Sequence, residues 1–171
     1  MGLALTAACS KPTRHKADIV MGIPEGVDLD KRAMALREVE TLQNAGRRVW
    51  CVPFARNASG VQIRGDAHTW WASAKGLYER STRPLAGAVM SFRSTKGMSL
   101  GHVAVVSKVI SDREVLIDHA NWSRNKVSLG MSVIDVSDNN DWSHVRVMST
   151  PGAYGKTYPV NGFIYPDRAE G

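Results

Sequence analysis

The chain has 171 residues, the length of one domain with a terminal extension. Its 43% hydrophobic and 22% charged residues, with five tryptophans, exclude a disordered polymer. The net charge of +6 permits attraction to nucleic acid, anionic lipid or an anionic wall polymer. The basic residues are scattered, however, with no cluster beyond the loose Arg14-His15-Lys16, and no RNA- or DNA-binding signature is present, so no nucleic-acid partner is expected. Two cysteines cannot build a disulfide framework. No Cys/His spacing resembles a zinc site, and neither a metal nor another cofactor is expected.

Met1 to Cys9 is an apolar stretch of small residues ending in cysteine, after which the chain turns polar and basic at Ser10-Lys11-Pro12-Thr13-Arg14. This is similar to the end of a bacterial lipoprotein signal, with Cys9 as the lipidation site and Thr6 in the slot usually held by an aliphatic residue. A charged n-region is missing from it. A frayed apolar terminus and a myristoylation pattern at Gly2 and Thr6 fit the same residues. No other stretch approaches the roughly 18 apolar residues of a membrane span, so any membrane contact is expected only through a lipid anchor at Cys9. A Cys9–Cys51 disulfide would silence Cys51; the two cysteines stand in segments of different kinds and are read as unpaired.

Residues 17–28, with Gly22, Pro24 and Gly26, read as a linker. Asp30 to Ala45 predicts a helix capped by Asp28 or Asp30, with Met34, Leu36, Val39 and Leu42 on one face and Gly46 as its stop. Trp50-Cys51-Val52-Pro53-Phe54 then predicts a helix start, because proline in the first turn loses no hydrogen bond and has a suitable φ. The roughly half positive charge of a helix N-terminus favours thiolate over thiol, so Cys51 is expected to have a lowered pKa and to be a candidate nucleophile. Its alternative is a small buried hydrophobe. A further helix is predicted after Gly65-Asp66, capped by Asp66, with Trp70, Ala74 and Leu77 on one stripe. His68 in its first turn is expected at the surface or supporting the site from behind.

From Pro84 the hydrophobic period changes to two. It predicts strands over Ala88–Arg93, His102–Ile110 and Val115–Trp122, then Ser132–Val136, Val145–Met148 and Gly162–Tyr165. Helices followed by an antiparallel meander make an α+β fold. His102 opens its strand at the sheet margin, and the next strand ends Ile117-Asp118-His119-Ala120-Asn121-Trp122. Strand alternation puts His119 and Asn121 on one face and Asp118, Ala120 and Trp122 on the other. If His102 stands opposite Asn121, its neighbours are His119 and Asn121; a slip of one residue makes them Asp118, Ala120 and Trp122. Either set orients a histidine base, since imidazole, amide oxygen and carboxylate all accept its second N–H.

These residues in this order, Cys51-Val52-x-Phe54-Ala55-Arg56, Ser59-Gly60, Gly65-Asp66-Ala67 with Trp70-Trp71, Pro84-x-x-Gly87-Ala88-Val89, Gly101-His102-Val103-Ala104-Val105-Val106 and Asn121-Trp122, resemble a CHAP domain. That is the cysteine-, histidine-dependent amidohydrolase/peptidase group, related to NlpC-type cysteine peptidases. The likeness covers roughly Asn44 to Pro166. It implies a papain-like fold, with N-terminal helices packed on an antiparallel β-sheet, and amide cleavage in bacterial peptidoglycan by an amidase or endopeptidase of periplasmic or extracellular location. It implies Cys51 as nucleophile and His102 as base. His119-Ala120-Asn121 matches the family's Glu-x-Asn with histidine in place of glutamate, which favours His119 and Asn121 as partners and leaves Asp118 as the alternative third residue. Trp50 stands where many members have glutamine or asparagine, so a side-chain oxyanion donor is absent there. The expected organisation is residues 1–43 as signal-like segment, linker and helix, 44–166 as catalytic domain and 167–171 as tail. The alternative is a catalytically silent wall-binding or scaffold module of the same fold.

Overall fold

The computed structural model describes residues 26–168. Cys9, and with it the lipidation reading, lies outside the described residues. Helix α1 (Leu29–Asn44) starts where the Asp28 carboxylate accepts the Lys31 N–H at 3.0 Å, satisfying one of the free donors of a helix start. Helix α2 (Cys51–Ser59) has Pro53 in its first turn, ends at Gly60 and buries Phe54, Ala55 and Ala58. A 3-10 turn (Ala67–Thr69) leads into the single-turn α3 (Trp70–Ser73). This is shorter than the helix expected there. Trp70 and Ala74 are buried, but Leu77 is exposed, because the chain reverses after Ala74, whose carbonyl accepts the N–H groups of both Leu77 and Tyr78. No described helix is long and apolar enough to cross a membrane.

Seven strands follow: β1 (Tyr78–Ser81), β2 (Val89–Phe92), β3 (His102–Ser111), β4 (Glu114–Ala120), β5 (Val127–Asp135), β6 (His144–Thr150) and β7 (Ala153–Arg168). Every ladder is antiparallel, in the order β1-β7-β2-β3-β4-β5-β6, and β6 pairs with β7 as well. The fold is therefore α+β, and the expected meander closes into a barrel. Closure comes from β7, which is far longer than the expected Gly162–Tyr165. Its first part pairs with β6 as far as Pro159, and from Val160 it pairs with β2 and then β1. Pro159 stands at the handover, where its missing N–H disrupts neither ladder, and its carbonyl accepts the Arg93 N–H.

The alternation of side chains sorts the strands between two buried clusters. Met90, Phe92, Ala104, Val106, Val115, Ile117, Val133, Val145, Val147, Val160 and Phe163 fill the barrel with Trp142. Val89, Val103, Val105, Ala120 and Ile164 join Ala35 and Val39 of α1, Phe54 and Ala58 of α2, and Trp70. Even-numbered residues at the start of β3 thus face the barrel and odd-numbered ones face the helices.

Candidate active site

Cys51 is the first residue of α2, preceded by Trp50 in extended conformation with no side-chain cap. The first N–H groups of the helix are consequently free of side-chain partners. The N–H groups of Val103, Val52 and Cys51 itself favour the thiolate, but burial outweighs them and pushes the thiol above its ordinary value. This corrects the expectation of a lowered pKa: the helix end does act in the expected direction, and desolvation exceeds it.

The β3–β4 ladder pairs Val105 with Asp118 and Val106 with Ile117, and the same register carries His102 opposite Asn121. His102 and His119 accordingly share a face, with His102 Nε2 lying 3.0 Å from His119 Nδ1. Both are buried, at 4% and 0% exposure. Rings close them in: Phe92 lies 5.7 Å and Trp122 5.0 Å from His102 between centroids, and Trp122 stacks on His119 at 5.5 Å. Burial drives His102 well below the usual imidazole range, with the repulsion of His119 adding to it, and burial brings His119 down to about 4. Both rings are therefore neutral at pH 7. With Nε2 of His102 engaged, Nδ1 is the nitrogen left to accept a proton. That tautomer has Nε2–H donating to His119 Nδ1 and places the His119 proton on its own Nε2, a buried atom with no partner, at a cost of about 1–3 kcal/mol.

Asp118 faces the other way. Its Oδ2 accepts from Arg32 Nε of α1 at 2.6 Å and its Oδ1 from the Gly130 N–H at 2.8 Å, where β5 carries a bulge opposite β4. The carboxylate fastens α1 to the sheet and does not meet His102. Asn121 lines the same cleft as Cys51 and His102, but its side chain bonds to neither histidine. Its φ is +63°, and its Oδ1 accepts the Asn125 N–H at 2.9 Å and Arg48 Nη2 at 3.4 Å.

Sequence reasoning passed over this turn and what it holds. Asn125 Oδ1 accepts the Val49 N–H at 2.9 Å, and Gln43 Nε2 donates to the Asn125 carbonyl at 2.8 Å. The hairpin end after β4 is thereby fixed to the segment that delivers Cys51. The Arg48 guanidinium also covers the Trp50 ring, 4.0 Å from its centroid. The one local signal was the recurrence of asparagine, which tolerates positive φ better than other side chains.

A cleft of about 760 Å³ joins these parts, lined by Trp50 to Pro53, Gly65 to Ala67, Gly97 to His102, Asn121, Trp122, Lys156 and Tyr158. His68 is exposed, as expected, and its N–H donates to the Leu100 carbonyl at 2.8 Å, holding the loop before β3 against the 3-10 turn. Gly101 ends that loop with φ +67°, and a Cβ there would lie 2.9 Å from both the His68 N and the Phe92 carbonyl oxygen. Gly101→Ala is expected to destabilise the protein by about 1–3 kcal/mol and to displace His102, read as a lower melting temperature together with reduced hydrolysis per folded molecule. Among the described residues no cluster of three or more His, Cys, Asp and Glu side chains is arranged to hold a metal.

Cys51 at a helix start and His102 at the start of β3, backed by the buried His119 of β4, bring a cysteine and a histidine to one cleft. Residues 43–121 match the family model of the CHAP domain. The match includes Cys51, His102, His119 and Asn121 and stops before β5. Comparison with curated proteins found no match.

Proposed function

We propose that the protein is a peptidoglycan hydrolase that cleaves an amide through a cysteine thioester. Supporting this reading is one observation above the others: Cys51 and His102 open on a single cleft, with His102 Nε2 held by His119 and Nδ1 left as the acceptor. On this reading the fold is papain-like, with the cysteine helix facing the sheet that carries the histidine. The resting pair is neutral thiol and neutral imidazole. His102 Nδ1 takes the thiol proton as Sγ adds to the amide carbonyl carbon. The backbone N–H groups of Cys51 and Val52 at the helix start meet the developing oxyanion, in place of the side chain that Trp50 does not supply. Collapse breaks the C–N bond, and the leaving amine takes the proton from His102. Water, giving a proton to His102, attacks the thioester; the C–S bond breaks, the carboxylic acid departs and the thiol is restored. His119 is a positioning residue for His102, and Asn121 a wall of the cleft. The site of action is periplasmic or extracellular.

The test is digestion of purified sacculi followed by mass spectrometry. Soluble products that each gain one water across an amide are expected, and the masses name the bond. Sacculi left intact at high protein concentration would overturn the proposal.

A further inference from the structure

Only two side chains lining the cleft carry a fixed charge of the Asp, Glu, Lys or Arg type, and they have opposite signs. Asp66 stands on the helix side, between α2 and the loop before β3, and Lys156 stands on β7. Neither has an ion-pair partner among the described residues. Asp66 occupies the cap position of the 3-10 turn, yet its carboxylate caps nothing; only its backbone carbonyl is engaged, by Thr69. The Lys156 ammonium lies over the Tyr158 ring, 5.2 Å from its centroid, and a Cβ on Gly97 would sit 3.3 Å from Nζ. Lys156 is exposed, with its ammonium at the cleft wall over that ring. The remaining lining carries no fixed charge: Cys51, Ser99, Asn121 and the neutral His102 are its other polar side chains, and the rest is aromatic, apolar or glycine. In a chain of net charge +6, a cleft with one acid and one base is locally balanced and bipolar. A few placed charges in a mostly apolar cleft set the orientation and identity of a ligand.

We propose that Asp66 and Lys156 are specificity-determining residues that bind a zwitterionic peptide across the cleft, a free ammonium against Asp66 and a free carboxylate against Lys156. The inference rests on the hydrolase reading and deepens it. The segment beside the scissile amide is then a peptide bearing both charges, which places cleavage within stem or cross-bridge peptide and not at the amide that joins the stem to the uncharged sugar. Lys156 and Tyr158 lie beyond the family match of residues 43–121, so this wall is supplied by the part of the chain outside it.

The experiment uses four synthetic peptides of one sequence, with the amine free or acetylated and the carboxylate free or amidated. kcat/KM is measured for wild type, Asp66→Asn and Lys156→Gln, and calorimetric affinities are measured in a Cys51→Ala background. Wild type is expected to lose about five- to tenfold when either charge is blocked. Lys156→Gln should become indifferent to the carboxylate while still sensing the amine, and Asp66→Asn the reverse. Equal losses on all four peptides, or a wild type indifferent to blocking, would overturn the inference. Discrimination in binding without any cleavage would leave the charge recognition standing and overturn the hydrolase reading; cleavage without discrimination would do the opposite.

Discussion

Cys51→Ala and His102→Ala proteins are each expected to release peptide from purified sacculi at least about a thousandfold more slowly than wild type, with the melting temperature of Cys51→Ala close to it. The two losses should not add, because nucleophile and base act as one unit. His119 and Asp118 separate positioning from scaffold. His119→Ala leaves the His102 Nε2 without its acceptor and removes the repulsion that helps hold His102 below the usual imidazole range. The expected result is a rate lower by about a hundredfold and an acid limb moved to higher pH. Asp118→Asn instead loosens the contact with Arg32. It should cost about 2 kcal/mol of stability, seen in urea titration, and leave the rate per folded molecule within about threefold. A large rate loss in Asp118→Asn with an unchanged pH profile in His119→Ala would reverse the two assignments.

Stability is expected to fall steeply on mild acidification. The unfolded chain protonates His119 near the ordinary imidazole value of 6.5, whereas the folded chain does so only at about 4. Between those values the unfolded state binds more protons, so stability rises with pH. The contribution is complete above about pH 7 and is lost progressively as pH falls from 6.5 towards 4. A difference of that size amounts to about 3 kcal/mol for this one ring, and His102, also held low, acts in the same direction. Asp28 and Asp141, whose carboxylates are lowered by hydrogen bonds, titrate below this window, while Cys51 and Tyr158, raised by burial, titrate on the alkaline side. Urea unfolding at pH 7.5 and 4.5 measures the drop, and His119→Asn should flatten it. An equally steep drop in that variant would exclude His119 as its cause.

What could be read in the chain was whatever depends on near neighbours. Pro53 and the capping residue Asp28 announced their helix starts. Strand alternation put His119 and Asn121 on one face and Asp118 on the other but left the register open by one residue, and the resemblance of His119-Ala120-Asn121 to the family pattern favoured the pairing of His102 with His119. Long-range geometry was out of reach. The last strand was expected only over Gly162–Tyr165, whereas β7 runs on either side of Pro159, where it changes partners, so the barrel closure was not legible. The stripe of Trp70, Ala74 and Leu77 held for the first two residues only, since the helix ends at Ser73 and the turn after Ala74 redirects Leu77 to solvent. The thiol was misjudged for a related reason: the sign of a helix end is local, whereas the depth of burial that overrides it depends on how the barrel and helices meet. Lys156 carried no signal, being one lysine on a strand whose partner loop lies about sixty residues upstream.

The protonated resting state of Cys51 has a consequence for chemical endurance. Thiolates, not thiols, attack peroxides and disulfides. On the proposed mechanism the sulfur ionises only when substrate and base are aligned, which keeps the nucleophile in its least oxidisable form between turnovers. Sensitivity to oxidation would then track occupancy of the cleft, and idle protein would outlast working protein in an oxidising medium.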